Sequence, residues 1–233
     1  MGDAVDVYLE IGAKRVFAGA IEWPGWCRAG RTEGDALEAL VAYGPRYRAV
    51  LGSSKPPFHA PPDVSRLKVV ERIKGGVGTD FGVPGEAPTA DGRPVDAREL
   101  VRFRRLLTRC WQAFDAAAAA AVGVELRRGP RGGGRDLDKI VGHVREADEA
   151  YLHQLGSKVP KHTGPDSAES EELRATILEA LTARARGRSP AEPNKVQKPW
   201  SPRYLVRRAT WHVLDHAWEI EDRASPNGGT PKA

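Results

Sequence analysis

The amino-acid sequence predicts an α+β protein: a small three- to four-stranded antiparallel sheet with one helix, followed by an antiparallel four-helix bundle. Three observations lead to this class. Residues Val5 to Ile11 (VDVYLEI) alternate in polarity, and two further strand-like runs follow within the next twenty residues. After Pro94, four stretches repeat apolar residues every three or four positions. Between the two regions lies a proline- and glycine-rich segment, as a connector requires.

Taken in order, the first strand turns at Gly12-Ala13-Lys14 into a second, Arg15 to Trp23 (RVFAGAIEW), each with one face buried. Pro24-Gly25 breaks the pattern before a short third strand, Trp26 to Arg31. Thr32 is placed to cap a helix in which Ala36, Leu37, Leu40 and Val41 share a face until Pro45 weakens it. In the connector, Leu67 to Lys74 (LKVVERIK) alternates and can add a fourth strand. The first bundle helix runs from about Asp96 to Val122, with Asp96 as cap and Leu100, Phe103, Leu107, Trp111 and Phe114 on one face. The second covers about Asp136 to Leu155, the third about Ser167 to Arg186, and the fourth about Ser201 to Asp222 with Pro202 in its first turn. Connections containing Gly and Pro favour antiparallel neighbours. The expected organisation is an α/β part over residues 1–52, a connector over 53–94, the bundle over 95–224 and a disordered tail over 225–233.

Composition narrows the function. Of 233 residues, 36 are basic and 31 acidic, so the net charge of +5 gives no broad cationic face and nucleic acid is not the expected partner. The dense basic cluster Arg127 to Arg135 (RRGPRGGGR) reads as a solvated helix connection, with a phosphate or RNA contact as the alternative. Cys27 and Cys110 form no C-x-x-C pair, which points to a reducing cytoplasm. The most apolar run, Ala116 to Val124, is too short to span a bilayer, and the acidic start MGDAVDVYLEIG is unlike a secretory signal.

The chemistry concentrates in RATWHVLDHAWEIEDR, Arg208 to Arg223. His212 and His216 are four residues apart, so on a helix both imidazoles project from one face and can reach one metal ion. A third ligand is required, and His143 in DLDKIVGHVREADEAYL is the best candidate, sharing a face with Ile140, Val144, Ala147 and Tyr151. Standing alone, a histidine on an apolar stripe is ordinarily a hydrogen-bonded core residue; the pair at 212 and 216 alters that reading. A zincin needs H-E-x-x-H, but position 213 is valine, and the paired E-x-x-H segments of a di-iron bundle are missing. His59 is read as a surface residue and His162 as a loop residue, and His153, ten residues past His143, is a poor angular match on a helix.

IVGHVREADEAYL and RRATWHVLDHAWEIEDR together resemble the DinB-like four-helix bundle proteins, in which one histidine of the second helix and an H-x-x-x-H pair of the fourth bind a divalent metal. The resemblance spans roughly Pro94 to Arg223 and implies His143, His212 and His216 as ligands. The first fifty residues, with IEWPGWCRAGRTEGDALEAL, are similar to the HicB-like antitoxin fold, although no helix-turn-helix follows. The first resemblance implies one divalent ion, zinc, nickel or iron, and activities of the thiol S-transferase, mycothiol-dependent isomerase or hydrolase type on a small electrophile. A low-molecular-weight thiol would be the cosubstrate, and a homodimer is implied. The alternative is a non-catalytic interaction or sensor module whose HicB-like sheet binds a protein or RNA partner.

Three further side chains are candidates around the metal. Glu219, three residues past His216, can accept from a ligand's free N–H; Arg208, four before His212, can meet an anionic substrate; Asp215 adjoins His216 but points about a quarter-turn away. The plain reading of all three is surface pairing with neighbours such as Arg207 and Arg223.

Overall fold

The alternating run at the start of the chain forms β1 (Val5–Ile11), the strand on which the sheet of the first unit is built. A computed structural model of the chain describes residues 4–128, 134–160 and 166–224. The chain divides into two units, one ending at Asp91 and the other starting at Gly92. His162, the middle of the basic cluster and the tail after residue 224 lie outside the described residues.

In the first unit, β2 (Val16–Ala20) pairs antiparallel with β1, and β3 (Cys27–Gly30) pairs antiparallel with β2. The turn closes by a hydrogen bond from Gly12 N–H to the Arg15 carbonyl, at 2.9 Å. α1 (Glu33–Ala42) starts at Thr32, whose hydroxyl accepts from Asp35 N–H at 3.1 Å while the Asp35 carboxylate accepts from Thr32 N–H. Pro45 does not end the helical region. It occupies the first turn of a second helix, α2 (Gly44–Leu51), where its missing N–H is not needed. β4 (Leu67–Lys74) joins the free edge of β1, and α3 (Val77–Phe81) follows it.

The sheet departs from the expected antiparallel pattern because β4 runs parallel to β1, from Val5 beside Leu67 to Ile11 beside Lys74. The connection from β3 to β4 contains both α1 and α2, and a crossover of that length lets a strand return in the same direction as its neighbour. β1 also buries four consecutive residues, Val7 to Glu10, rather than one face. The Glu10 side chain is fully buried and its oxygens are satisfied by hydrogen-bond donors. Its carboxylate accepts from the Thr79 hydroxyl at 2.5 Å, from Gly85 N–H at 3.0 Å and from Glu86 N–H at 3.1 Å. Away from the sheet, Phe58 stands edge-on to Trp26 and Tyr47, and Trp26 Nε1–H donates to the Leu40 carbonyl.

The second unit contains α4 (Ala97–Ala120), α5 (Leu137–Gln154), α6 (Asp166–Ala185) and α7 (Pro202–Ala224). Asp96 caps α4 with Glu99 in a reciprocal box, and Leu100, Phe103, Leu107, Trp111 and Phe114 are all buried. Asp136 caps α5 by accepting from Lys139 N–H. The helices do not simply alternate in direction. Glu99 near the start of α4 pairs with Arg203 near the start of α7, and beyond α4 Arg127 bonds the end of α7, so these two run parallel. Arg104 bonds Leu178 and Thr182 while Arg174 bonds Asp115, so α6 opposes α4. The end of α5 meets the chain just before α7 through the bond from Trp200 N–H to the Gln154 carbonyl, so α5 opposes α7 and lies in the same direction as α6.

Candidate metal centre

α7 crosses the interior of the second unit, so most of its circumference is buried, including Leu205, Val206, Val213, Leu214, Ala217 and Ile220. On the side facing α5 it carries His212 and His216, and α5 presents His143 to them. The three rings stand roughly edge to face, with centroids 5.0 Å apart for His143 and His212, 5.0 Å for His143 and His216, and 4.6 Å for His212 and His216. One potential ligand atom from each lies within 4.8 Å of the others.

The closest pair is His143 Nε2 and His212 Nε2, at 3.2 Å. Two imidazole nitrogens sharing one tetrahedral ion at about 2.0–2.1 Å each would stand about 3.3 Å apart, so this pair has ligand spacing without rearrangement. His212 is 7% exposed, and its Nδ1 is buried with no hydrogen-bond partner. Burial, helped by His216, Arg208 and His143, pushes its pKa down to about 2. Burial also holds His143 below the ordinary histidine value, with His216 and Arg135 acting in the same sense. Both imidazoles are therefore neutral at pH 7 and keep the lone pair that a metal needs. The residues present fit a metal ion, and three histidines in this arrangement could hold one.

Glu219 settles the orientation of the third ring. Its Oε2 is 2.8 Å from His216 Nδ1, and its Oε1 accepts from Arg223 Nη1 at 2.7 Å. Burial acts to raise its pKa, but the hydrogen bonds and charges of His216 and Arg223 outweigh it and leave the carboxyl below its usual value. An ionised carboxylate only accepts, so the proton of His216 sits on Nδ1 and Nε2 is free to face the cluster. Arg223 is itself fixed, donating from Nε to the Arg127 carbonyl at 2.7 Å and from Nη2 to the Arg135 carbonyl at 2.8 Å. The two ends of the basic cluster thus hold the residue that holds Glu219.

The remaining sequence candidates separate clearly. The Asp215 carboxylate is not among the clustered ligand atoms. Arg208 stacks its guanidinium over Trp211, 4.7 Å from the ring centre, and over Tyr151 at 5.6 Å; Tyr151 is in turn edge-on to His212 at 5.8 Å. His59 and His153 are exposed, and neither contributes to the clustered ligand atoms. Sequence reasoning treats Arg223 only as a surface partner, yet its spacing of four from Glu219 is the visible sign of the pair.

No protein-family model, curated protein or solved structure matches this chain. Among the described residues no helix is long and apolar enough to cross a membrane.

Proposed function

We propose that the second unit is a DinB-like metal-binding bundle whose His143, His212 and His216 hold one divalent ion, and that the protein acts on a small electrophile as a metal-dependent thiol S-transferase, isomerase or hydrolase. The observation that supports it is the convergence of three imidazoles from two helices, one ring oriented by Glu219, with no carboxylate in the cluster among the described residues. Zinc, nickel and iron all suit imidazole ligands. Three neutral ligands would leave the ion its full charge, which lowers the pKa of a bound water or thiol.

The chain's own side chains have defined parts in this reading. Burial keeps His212 unprotonated, and Glu219 holds the His216 proton at Nδ1, away from the reacting face. The protein's thiols do not serve as nucleophile: Cys27 and Cys110 are both buried, and burial pushes the Cys110 thiol far up. A nucleophilic thiol must therefore enter as a cosubstrate. The test is elemental analysis of the purified protein beside the H143A/H212A/H216A variant. One ion per chain, lost in a variant that retains its helical circular dichroism, is expected; a native protein that takes up no divalent metal refutes the proposal.

A second reading concerns the first unit, proposed as HicB-like. β4 is an edge strand with Val70 exposed, and Val77 and Phe81 of α3 are also exposed, an apolar surface that supports a partner-binding module. It predicts a partner-dependent protection of the β4 amides in hydrogen exchange.

A further inference from the structure

The three-histidine cluster has a cationic neighbour that no acidic side chain among the described residues neutralises. Arg208 lies one turn before His212 on α7, so both side chains leave the helix on the same side. Its Nη1 is buried and makes no hydrogen bond. Among the described residues no acidic side chain pairs with it. This contrasts with two other arginines of the same helix: Arg203 pairs with Glu99, and Arg223 pairs with Glu219.

Leaving a guanidinium N–H buried and unbonded is costly, and arginine is the side chain whose planar fork matches a carboxylate with two parallel bonds. Tyr151 and Trp211 face the guanidinium, and Trp200 packs against Tyr151 at 5.6 Å, so aromatic rings border the half-buried Arg208 and its buried Nη1. In such surroundings a charge-assisted bond is strengthened. A single free guanidinium offers one compensating charge, which matches a carboxylate, whereas phosphate sites gather several donors.

We propose that Arg208 docks a carboxylate carried by the substrate of the three-histidine centre, leaving an adjacent atom of that substrate at the imidazole cluster. The substrate class is then a small organic acid with an apolar or aromatic body, placed against Tyr151 and Trp200. The inference rests on the proposed function for the identity of the reacting centre, but the anion subsite is testable without any turnover. Arg208 is accordingly a binding residue, not a proton donor.

The experiment uses the full chain, zinc-loaded and metal-free, with phenylacetate as probe and phenylacetamide as its uncharged counterpart. Binding is followed by tryptophan fluorescence and calorimetry, since Trp211 and Trp200 border the subsite. Wild type should prefer phenylacetate to phenylacetamide, and R208Q should weaken phenylacetate by about tenfold or more while leaving phenylacetamide unchanged. R208K, which keeps the charge and the stem, guards against misfolding and should fall between the two. Zinc content is measured in every variant and should stay at the wild-type level in R208Q. If wild type binds zinc but shows no preference for the acid, or if R208Q binds the acid as wild type does, the carboxylate subsite is wrong and the metal reading stands. If wild type takes up no zinc but the acid preference persists and depends on Arg208, the subsite is supported and the metal reading falls. Phosphate binding more tightly than phenylacetate with the same Arg208 dependence would overturn the assignment to a carboxylate.

Discussion

Asp148 offers a quantitative test of how the second unit is held together. It lies on α5, 2% exposed, accepting from Trp111 Nε1–H at 3.0 Å through Oδ2, while Oδ1 is buried without a partner. Burial drives its pKa up from 3.8 to about 7, against the opposing pull of Arg174 and of the Trp111 hydrogen bond. The unfolded chain therefore releases this proton near pH 4, while the folded protein keeps it until about pH 7. Between those values the folded state binds more protons, so stability is greatest in acid, falls as pH rises and levels off above about pH 7. At 1.36 kcal/mol for each tenfold change in proton binding, the loss from pH 5 to pH 8 is on the order of 3 kcal/mol. D148N keeps an oxygen for Trp111 and has no proton to lose. Urea unfolding of both proteins, followed by tryptophan fluorescence at pH 5, 6, 7 and 8, isolates this residue because every other titrating group is shared. The wild-type midpoint should fall relative to the variant by about 1–2 M urea across that range. A difference that stays constant with pH would show that Asp148 titrates normally, and the argument from burial would fail.

Two other perturbations follow. E219Q removes the ionised acceptor that orients His216, and should weaken divalent-metal affinity by about 10- to 100-fold in a competitive chelator titration, with little change in helical content. E10A leaves the Thr79 hydroxyl and the Gly85 and Glu86 amides without their acceptor; it should destabilise the first unit by about 2–4 kcal/mol and speed hydrogen exchange at Gly85 and Glu86 before other amides of that unit.

Local signals in the chain proved legible and long-range ones did not. β1 and β4 appear where alternation placed them, and α4 and α5 start beside the acidic caps Asp96 and Asp136, because periodicity and capping act within a few residues. The direction of β4 and the parallel course of α4 and α7 depend on which distant segment each meets, and nothing in LKVVERIK or in a helical stripe encodes a partner. Pro45 was ambiguous for a different reason, since the same ring that ends one helix can open the next.

At the candidate site, the spacing of His212 and His216 was enough to put both on one face, and the need for a third ligand pointed to His143, a choice the resemblance supported and which the structure brings within reach of them. Asp148 escaped notice because READEAYL reads as a solvated helix face, and only the packing of Trp111 against it reveals a buried acid. The free state of the Arg208 Nη1 was equally invisible, because a missing partner is a property of three-dimensional surroundings rather than of spacing.

The pairing of α4 with α7 bears on how this protein comes to be assembled. These helices open and close the second unit in sequence yet pack directly on one another, and His143 and His212 are 69 residues apart. Closing so large a loop is entropically expensive and slow, and the first three helices have no complete core until the last one docks. The imidazole cluster does not exist before that event. An ion taken up by it would bind only chains that had finished folding, drawing the docking equilibrium forward and slowing the escape of α7, so that metal loading would act as a latch on the final step of assembly.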